Sequence, residues 1–192
     1  GSEMCIRDRA FGVRHRGIPL RAMARPLGNA VLEAWLERRR GGADRLIAKT
    51  GGLKDVLREL KGGGWVAMLA DQNAGRHGLF LPFFGLEAST FPTPAALAAR
   101  VGAPLYLGVC LRRSGGHGFD IHLERLPDPV DVETATRDLN RLLEAWIRRA
   151  PGQYNWVHRR WKTRPPGRDR TEPGQPFYAR LWPANHPRTG VR

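Results

Sequence analysis

Apolar and polar positions along the chain switch between the two-residue period of a strand and the longer period of a helix. Ile18 to Ala24 carries Leu20, Ala22 and Ala24 on one face and predicts a strand that ends at Arg25-Pro26, because a residue before proline is driven out of the helical region. Asn29 then suits the cap of a helix over Ala30 to Arg40. Val31, Leu32, Trp35 and Leu36 recur there at helical spacing, and Arg38 to Arg40 suit the negative end of the helix dipole. Gly41-Gly42 stops it. Arg45 to Lys49 predicts a short strand. Leu53, Val56, Leu57 and Leu60 predict a second helix, stopped by Gly62-Gly63-Gly64. Trp65 to Ala70 reads as a buried strand.

The segment Asp71 to Gly85 follows that strand and mixes polar, glycine and aromatic residues. An open α/β sheet places its ligands at such a position, so the candidate site is expected there. Pro94 to Arg100 predicts a short helix, and Leu105 to Leu111 a strand. Gly118 to Leu126 predicts another strand, with Phe119, Ile121 and Leu123 on one face. Asp131 or Thr134 opens the last long helix, whose Leu139, Leu142, Leu143, Trp146 and Ile147 form one apolar stripe before Pro151. The order β-α-β-α-β-α-β-β-α predicts an α/β sandwich with a largely parallel central sheet flanked by helices.

Composition adds an electrostatic constraint. The 192 residues carry 32 Lys and Arg against 18 Asp and Glu, a net charge of +14, and nearly all of the positive charge is arginine. Arginine grips phosphates and carboxylates with two donors at once, so an anionic partner is expected. Charge alone leaves nucleic acid, an anionic membrane surface, a phosphorylated lipid and an acidic carrier protein open. Six Trp and 41% hydrophobic residues argue for a folded chain of one domain. Cys5 and Cys110 lie far apart and match no metal spacing, so no metal site is expected, and Cys110 reads as a small buried hydrophobe. No apolar stretch approaches the roughly 18 residues of a membrane span. Residues 1–9 read as a non-native leader, since MCIRDR resembles a translated sequencing adapter. Residues 167–192 read as a proline-rich basic tail.

Several stretches in order have a familiar look. They are Ala24-Arg25-Pro26-Leu27-Gly28-Asn29, Met68-Leu69-Ala70-Asp71-Gln72, Gly78-Leu79-Phe80-Leu81-Pro82-Phe83-Phe84-Gly85, and finally Leu143 to Arg148 with Pro151 to Pro165. Across residues 10–166 the chain resembles the lipid A biosynthesis acyltransferase family, the late lauroyl and myristoyl transferases. The resemblance implies a glycerolipid-acyltransferase-like sandwich. It also implies transfer of a fatty acyl chain from acyl carrier protein, as co-substrate, to a hydroxyl of a phosphorylated glycolipid acceptor. The expected place is the cytoplasmic face of the bacterial inner membrane, on an anionic membrane surface, with no cofactor and no nucleic acid. A non-catalytic homologue that binds lipid or carrier protein is the alternative, with a basic nucleic-acid-binding module behind it.

In the family a His followed after four residues by a Glu acts as a dyad, the imidazole taking the acceptor's hydroxyl proton. None of His15, His77, His117, His122, His158 and His186 has an acid five positions later. The dyad is expected to precede Ala10, and the polypeptide alone is expected to be inactive. By the same resemblance Asp71 and Arg40 align with functional residues of the family; their plain readings are a strand-end loop cap and a helix-terminal charge. Gln72 beside Asp71 is a substrate-binding candidate, and Arg25 and Asn29 are candidates for the acceptor site, against the ordinary uses of an Arg before Pro and an N-cap Asn. Phe83 and Phe84 are candidates for the wall of an acyl tunnel, against plain core. Arg159 and Arg160 are candidates for contact with substrate or membrane.

Overall fold

The computed structural model describes residues 18–24, 28–29, 31, 34–35, 38, 46–48, 51–115, 117–128 and 131–167. The leader, Arg25, Arg40 and the tail from residue 168 onward lie outside the described residues. Three short strands, β1 (Leu20–Ala24), β2 (Leu46–Ala48) and β3 (Trp65–Ala67), form a parallel sheet in the order β2-β1-β3. Parallel neighbours need crossovers. The segment between β1 and β2 is helical at positions 31, 34, 35 and 38, and Asn29 caps it by accepting the Val31 N–H at 3.1 Å. Helix α1 (Leu53–Lys61) crosses from β2 to β3.

The apolar face of α1 is what holds this sheet. Val56 is fully buried against Ile47 and against Leu97 of helix α2 (Thr93–Val101), with Met23, Leu57, Leu60, Val66 and Met68 around them. Full burial of such a side chain contributes about 1.5–3 kcal/mol.

The rest of the described β-structure is antiparallel. Strands β4 (Leu79–Phe83) and β5 (Leu86–Thr90) form one hairpin, and β6 (Tyr106–Arg112) and β7 (Phe119–Arg125) another. The first hairpin adds two strands that the expected element order β-α-β-α-β-α-β-β-α does not contain. Its strand Leu79–Phe83 was hidden because Pro82 and two adjacent Phe break the alternation, and Pro82 is tolerated with its side chain exposed. The sheet is accordingly less parallel than expected: among the described residues, three strands pair in parallel and four lie in the two hairpins. The mixed α/β character holds.

Helix α3 (Val132–Arg149) begins at Asp131, whose carboxylate accepts the Thr134 N–H at 2.8 Å. It packs on the first hairpin through a second core of Phe83, Ala88, Ile147 and Trp161, with Leu86, Leu143 and Tyr154 packed around it. It also meets β7, where the Trp146 indole N–H donates to Glu124 at 2.8 Å and its ring lies 4.5 Å from His122. After α3, a single 3₁₀ turn at Pro151–Gln153 is tied to the second hairpin by the Gln153 amide. That amide accepts the Arg112 N–H at 2.7 Å and donates to the Arg112 carbonyl at 3.2 Å, in the manner of a neighbouring strand.

The turn of the first hairpin consists of Phe84 and Gly85, both with positive φ (52° and 76°). Two left-handed residues make the turn whose twist suits a two-residue hairpin. Glycine adopts that backbone freely, and a Cβ at Gly85 would meet nothing within 4 Å, so conformation alone sets its cost. Gly85→Ala is therefore expected to destabilise the protein by about 1–2 kcal/mol. Urea unfolding is the check, and an unchanged midpoint would contradict the turn assignment.

Candidate functional site

Loop 71–78 leaves β3 and returns to β4 through a single 3₁₀ turn at Gly75–His77. It is pressed against β5. The Ala74 N–H donates to the Ser89 carbonyl at 3.1 Å, and the Ser89 hydroxyl donates to the Gly75 carbonyl at 2.5 Å. Gly78 sits so close that a Cβ there would stand 2.3 Å from Ser89 Oγ and 2.9 Å from the Thr90 carbonyl. Only a glycine lets the backbones approach in this way.

From the other side the loop meets segment 154–163. The Asn73 N–H donates to His158 Nε2 at 2.9 Å, and the Asn73 side-chain amide donates to Thr163 Oγ1 at 3.0 Å. The Asn73 side-chain Oδ1 also accepts the Gly75 N–H at 3.3 Å. One asparagine thus holds its own loop in shape and joins it to residues far along the chain.

Arg160 lies beneath this junction with no exposed surface. Its Nη1 donates to the Ser89 carbonyl at 2.5 Å and its Nη2 to Thr90 Oγ1 at 2.7 Å, with Asn140 Oδ1 at 3.5 Å. Its guanidinium stands 5.1 Å over the Phe83 ring. Asn140 is itself buried and donates to Thr90 Oγ1 and the Pro82 carbonyl, both at 3.2 Å. Burial pushes the Arg160 guanidinium below its usual range, while Tyr154 and the Asp71 carboxylate favour its charge. Asp71 therefore lies within electrostatic reach of both Tyr154 and Arg160.

The candidates divide accordingly. Asp71, half-buried, and the exposed Gln72 begin the loop. Asn29 is exposed and serves as the N-cap already described. Phe83 is fully buried between Trp161, Ile147 and Ala88, so it is core rather than the wall of a tunnel. Phe84 is half-buried: its backbone N–H donates to Glu144 at 2.8 Å, and its ring faces Phe83, Trp156 and Arg148. Arg159 is exposed, as contact with a substrate or membrane requires. Arg160 corrects its expectation, since its charge is turned into the protein by the acceptors Ser89, Thr90 and Asn140. Sequence reasoning missed Asn73, Ser89, Thr90 and Asn140 as members of this junction. Only Asn73 carried a local signal, an asparagine before Ala-Gly in a loop.

The model of the family described as bacterial lipid A biosynthesis acyltransferase matches residues 9–163. The chain is 35% identical over 167 residues to the lipid A biosynthesis lauroyltransferase of Escherichia coli (strain K12), covering 83% of this chain and 53% of that protein. It is 33% identical over 154 residues to the palmitoleoyltransferase of the same strain, covering 78% and 50%, and 31% identical over 163 residues to its myristoyltransferase, covering 79% and 49%. The chain spans about half the length of the curated relatives it matches.

Tyr154 supplies a test of the site's electrostatics. Burial first, and the Asp71 carboxylate second, raise its hydroxyl above the usual phenol range against the opposing pull of Arg160. The folded value thus lies above the unfolded value of about 10. The resulting stability is fully present below that pH and is lost as pH rises through the folded value. Phenolate absorbance is expected to show a late step, coupled to unfolding, that Tyr154→Phe removes. An identical alkaline titration in the variant would contradict the burial and charge placement described.

Proposed function

This chain belongs to the bacterial lipid A biosynthesis acyltransferase family, and on that footing we propose that it serves the transfer of a fatty acyl chain from acyl carrier protein to a hydroxyl of a phosphorylated lipid A precursor. The observation that carries the reading is the meeting of the Asp71 loop with segment 154–163 through Asn73, His158 and Thr163. These two stretches are 85 and 90 residues apart at their bonds, and both lie within the family match. The relatives' names speak of lauroyl, palmitoleoyl and myristoyl transfer. The net charge of +14 suits a phosphorylated acceptor, an acidic carrier and an anionic membrane surface at the cytoplasmic face of the inner membrane. A glycerolipid-acyltransferase-like sandwich belongs to the same proposal. Among the described residues no helix is long and apolar enough to cross a membrane.

In the proposed reaction a base takes the acceptor's hydroxyl proton as the oxygen attacks the thioester carbonyl. The C–O bond forms, the C–S bond breaks, and the proton passes to the leaving thiolate. The thioester supplies the driving force, so no cofactor is needed. Asp71, half-buried at the start of the loop, is proposed to orient the acceptor hydroxyl by accepting its hydrogen bond. Arg160 acts through the scaffold beneath rather than on substrate. No His in the sequence has an acid five positions later, so the base is proposed to come from outside residues 10–192. The same observation favours a second reading, a homologue that binds lipid or carrier protein without turnover.

The test is acyl transfer from a radiolabelled acyl-acyl carrier protein to a phosphorylated lipid A precursor. The 192-residue polypeptide is expected to transfer no label. The product of the reading frame extended upstream of the Ala10 codon is expected to contain His-x4-Glu and to transfer it, with Asp71→Asn lowering kcat about a hundredfold. A folded extended product that binds the precursor but transfers nothing would support the non-catalytic reading instead.

A further inference from the structure

Segment 154–162 sorts its side chains onto two sides. Tyr154, His158, Arg160 and Trp161 turn inward: Arg160 and Trp161 are buried, His158 holds the Asn73 N–H, and the Trp161 indole donates to the Phe83 carbonyl at 3.3 Å. Trp156, Val157, Arg159 and Lys162 are left outside. Val157 is 90% exposed and Trp156 41%.

This tip is held rather than loose. The Trp156 ring lies 4.9 Å from Tyr154 and 5.9 Å from Phe84, and its indole N–H donates to the Pro151 carbonyl at 2.7 Å. Single exposed hydrophobics need no explanation, but an adjacent Trp-Val pair on a braced turn does. Exposed cations accompany it. Arg148 lies 4.9 Å over the Phe84 ring that Trp156 leans on, and the exposed Arg159 and Lys162 follow Val157 by two and five positions in the chain. The carboxylate beside them, Glu144, is partly buried and engaged by the Phe84 N–H and by Arg148 at 3.8 Å.

We propose that this tip docks on an anionic bilayer surface, with Val157 and the Trp156 ring entering the boundary between headgroups and acyl chains and Arg148, Arg159 and Lys162 meeting lipid phosphates. Tryptophan suits that boundary because its ring is apolar and its N–H polar. Two projecting residues bury far too little for a stable protein interface, which takes about 800 Å² per partner. A bilayer needs no matching pocket, and each nearby cation strengthens partition about fivefold. The inference rests on the reading of an enzyme that acts on lipid, but its test requires no turnover, so the two fail separately.

The experiment is co-sedimentation of the 192-residue chain with phosphatidylcholine vesicles, with and without phosphatidylglycerol, and a parallel set bearing brominated acyl chains. The chain is expected to bind the anionic vesicles well and the neutral ones poorly. Val157→Asn, which changes no charge at a position too exposed to matter for folding, is expected to weaken partition about tenfold, and Arg159→Gln with Lys162→Gln about twenty-five-fold. Brominated chains are expected to quench part of the tryptophan emission, and Trp156→Phe to remove that part. Unchanged partition of Val157→Asn, or no quenching by bromine, would overturn the proposal and leave charge alone as the attraction. Loss of binding to an acidic carrier protein in Val157→Asn, with vesicle binding intact, would overturn it in favour of a protein contact.

Discussion

A guanidinium with no exposed surface sits where the first hairpin, the last helix and the C-terminal segment meet, and the local arrangement depends on the acceptors of its two Nη atoms, since its buried Nε has no partner among the described residues. Taking the Arg160 charge out of water costs several kcal/mol. Short bonds to the Ser89 carbonyl and Thr90 Oγ1, at about 1.5–3 kcal/mol each for a charged donor, offset that cost together with the Phe83 ring face. The net contribution to stability is small. Its consequence is positional, because a misplaced β5 or α3 would leave a buried charge without partners. Ser89 and Thr90 must be presented by β5, and Asn140 by α3, for the guanidinium to be held at all.

The aromatic cluster follows from that placement. With Arg160 over one face, Phe83 packs against Trp161 at 5.4 Å and Phe84 at 5.0 Å, and the stack continues through Tyr154 to Trp156. Phe84 accepts a left-handed backbone that a bulky side chain disfavours. The Glu144 carboxylate on its N–H, the rings of Phe83 and Trp156 and the Arg148 guanidinium hold it there. The Ser89 carbonyl that accepts from Arg160 also accepts from Ala74 in the loop bearing Asp71. Core, turn and candidate site are thereby linked through one strand.

The parts legible in the sequence are those set by local period. The apolar faces of α1 and α3, the strands on either side of the second hairpin's turn, and Asp131 and Asn29 as caps follow from spacing and from side chains acting within a few residues. The hairpin over 79–90 was not legible, since Pro82 and the Phe83-Phe84 pair mask its alternation and a Phe at a left-handed turn position breaks the usual asparagine-glycine signature. The expected place of the site follows from a loop after a strand of an open sheet, while Asp71 is singled out by the family resemblance. Its scaffold was not legible, because Asn73 meets His158 and Thr163, and Arg160 meets Ser89 and Thr90, across some seventy to ninety residues. Arg160 in particular reads as one more surface cation beside Arg159, and only three-dimensional packing separates the two.

Arg160 organises the candidate site from below: through Ser89 it braces the loop that carries Asp71, whose carboxylate lies within its electrostatic reach. Amide hydrogen exchange in Arg160→Lys checks this dependence, since lysine keeps the charge but cannot span the Ser89 and Thr90 acceptors together. The expected result is faster exchange in both 86–90 and the 71–78 loop, with β6 and β7 unaffected. Loosening confined to 154–163, with loop 71–78 exchanging as in the unsubstituted protein, would contradict the account.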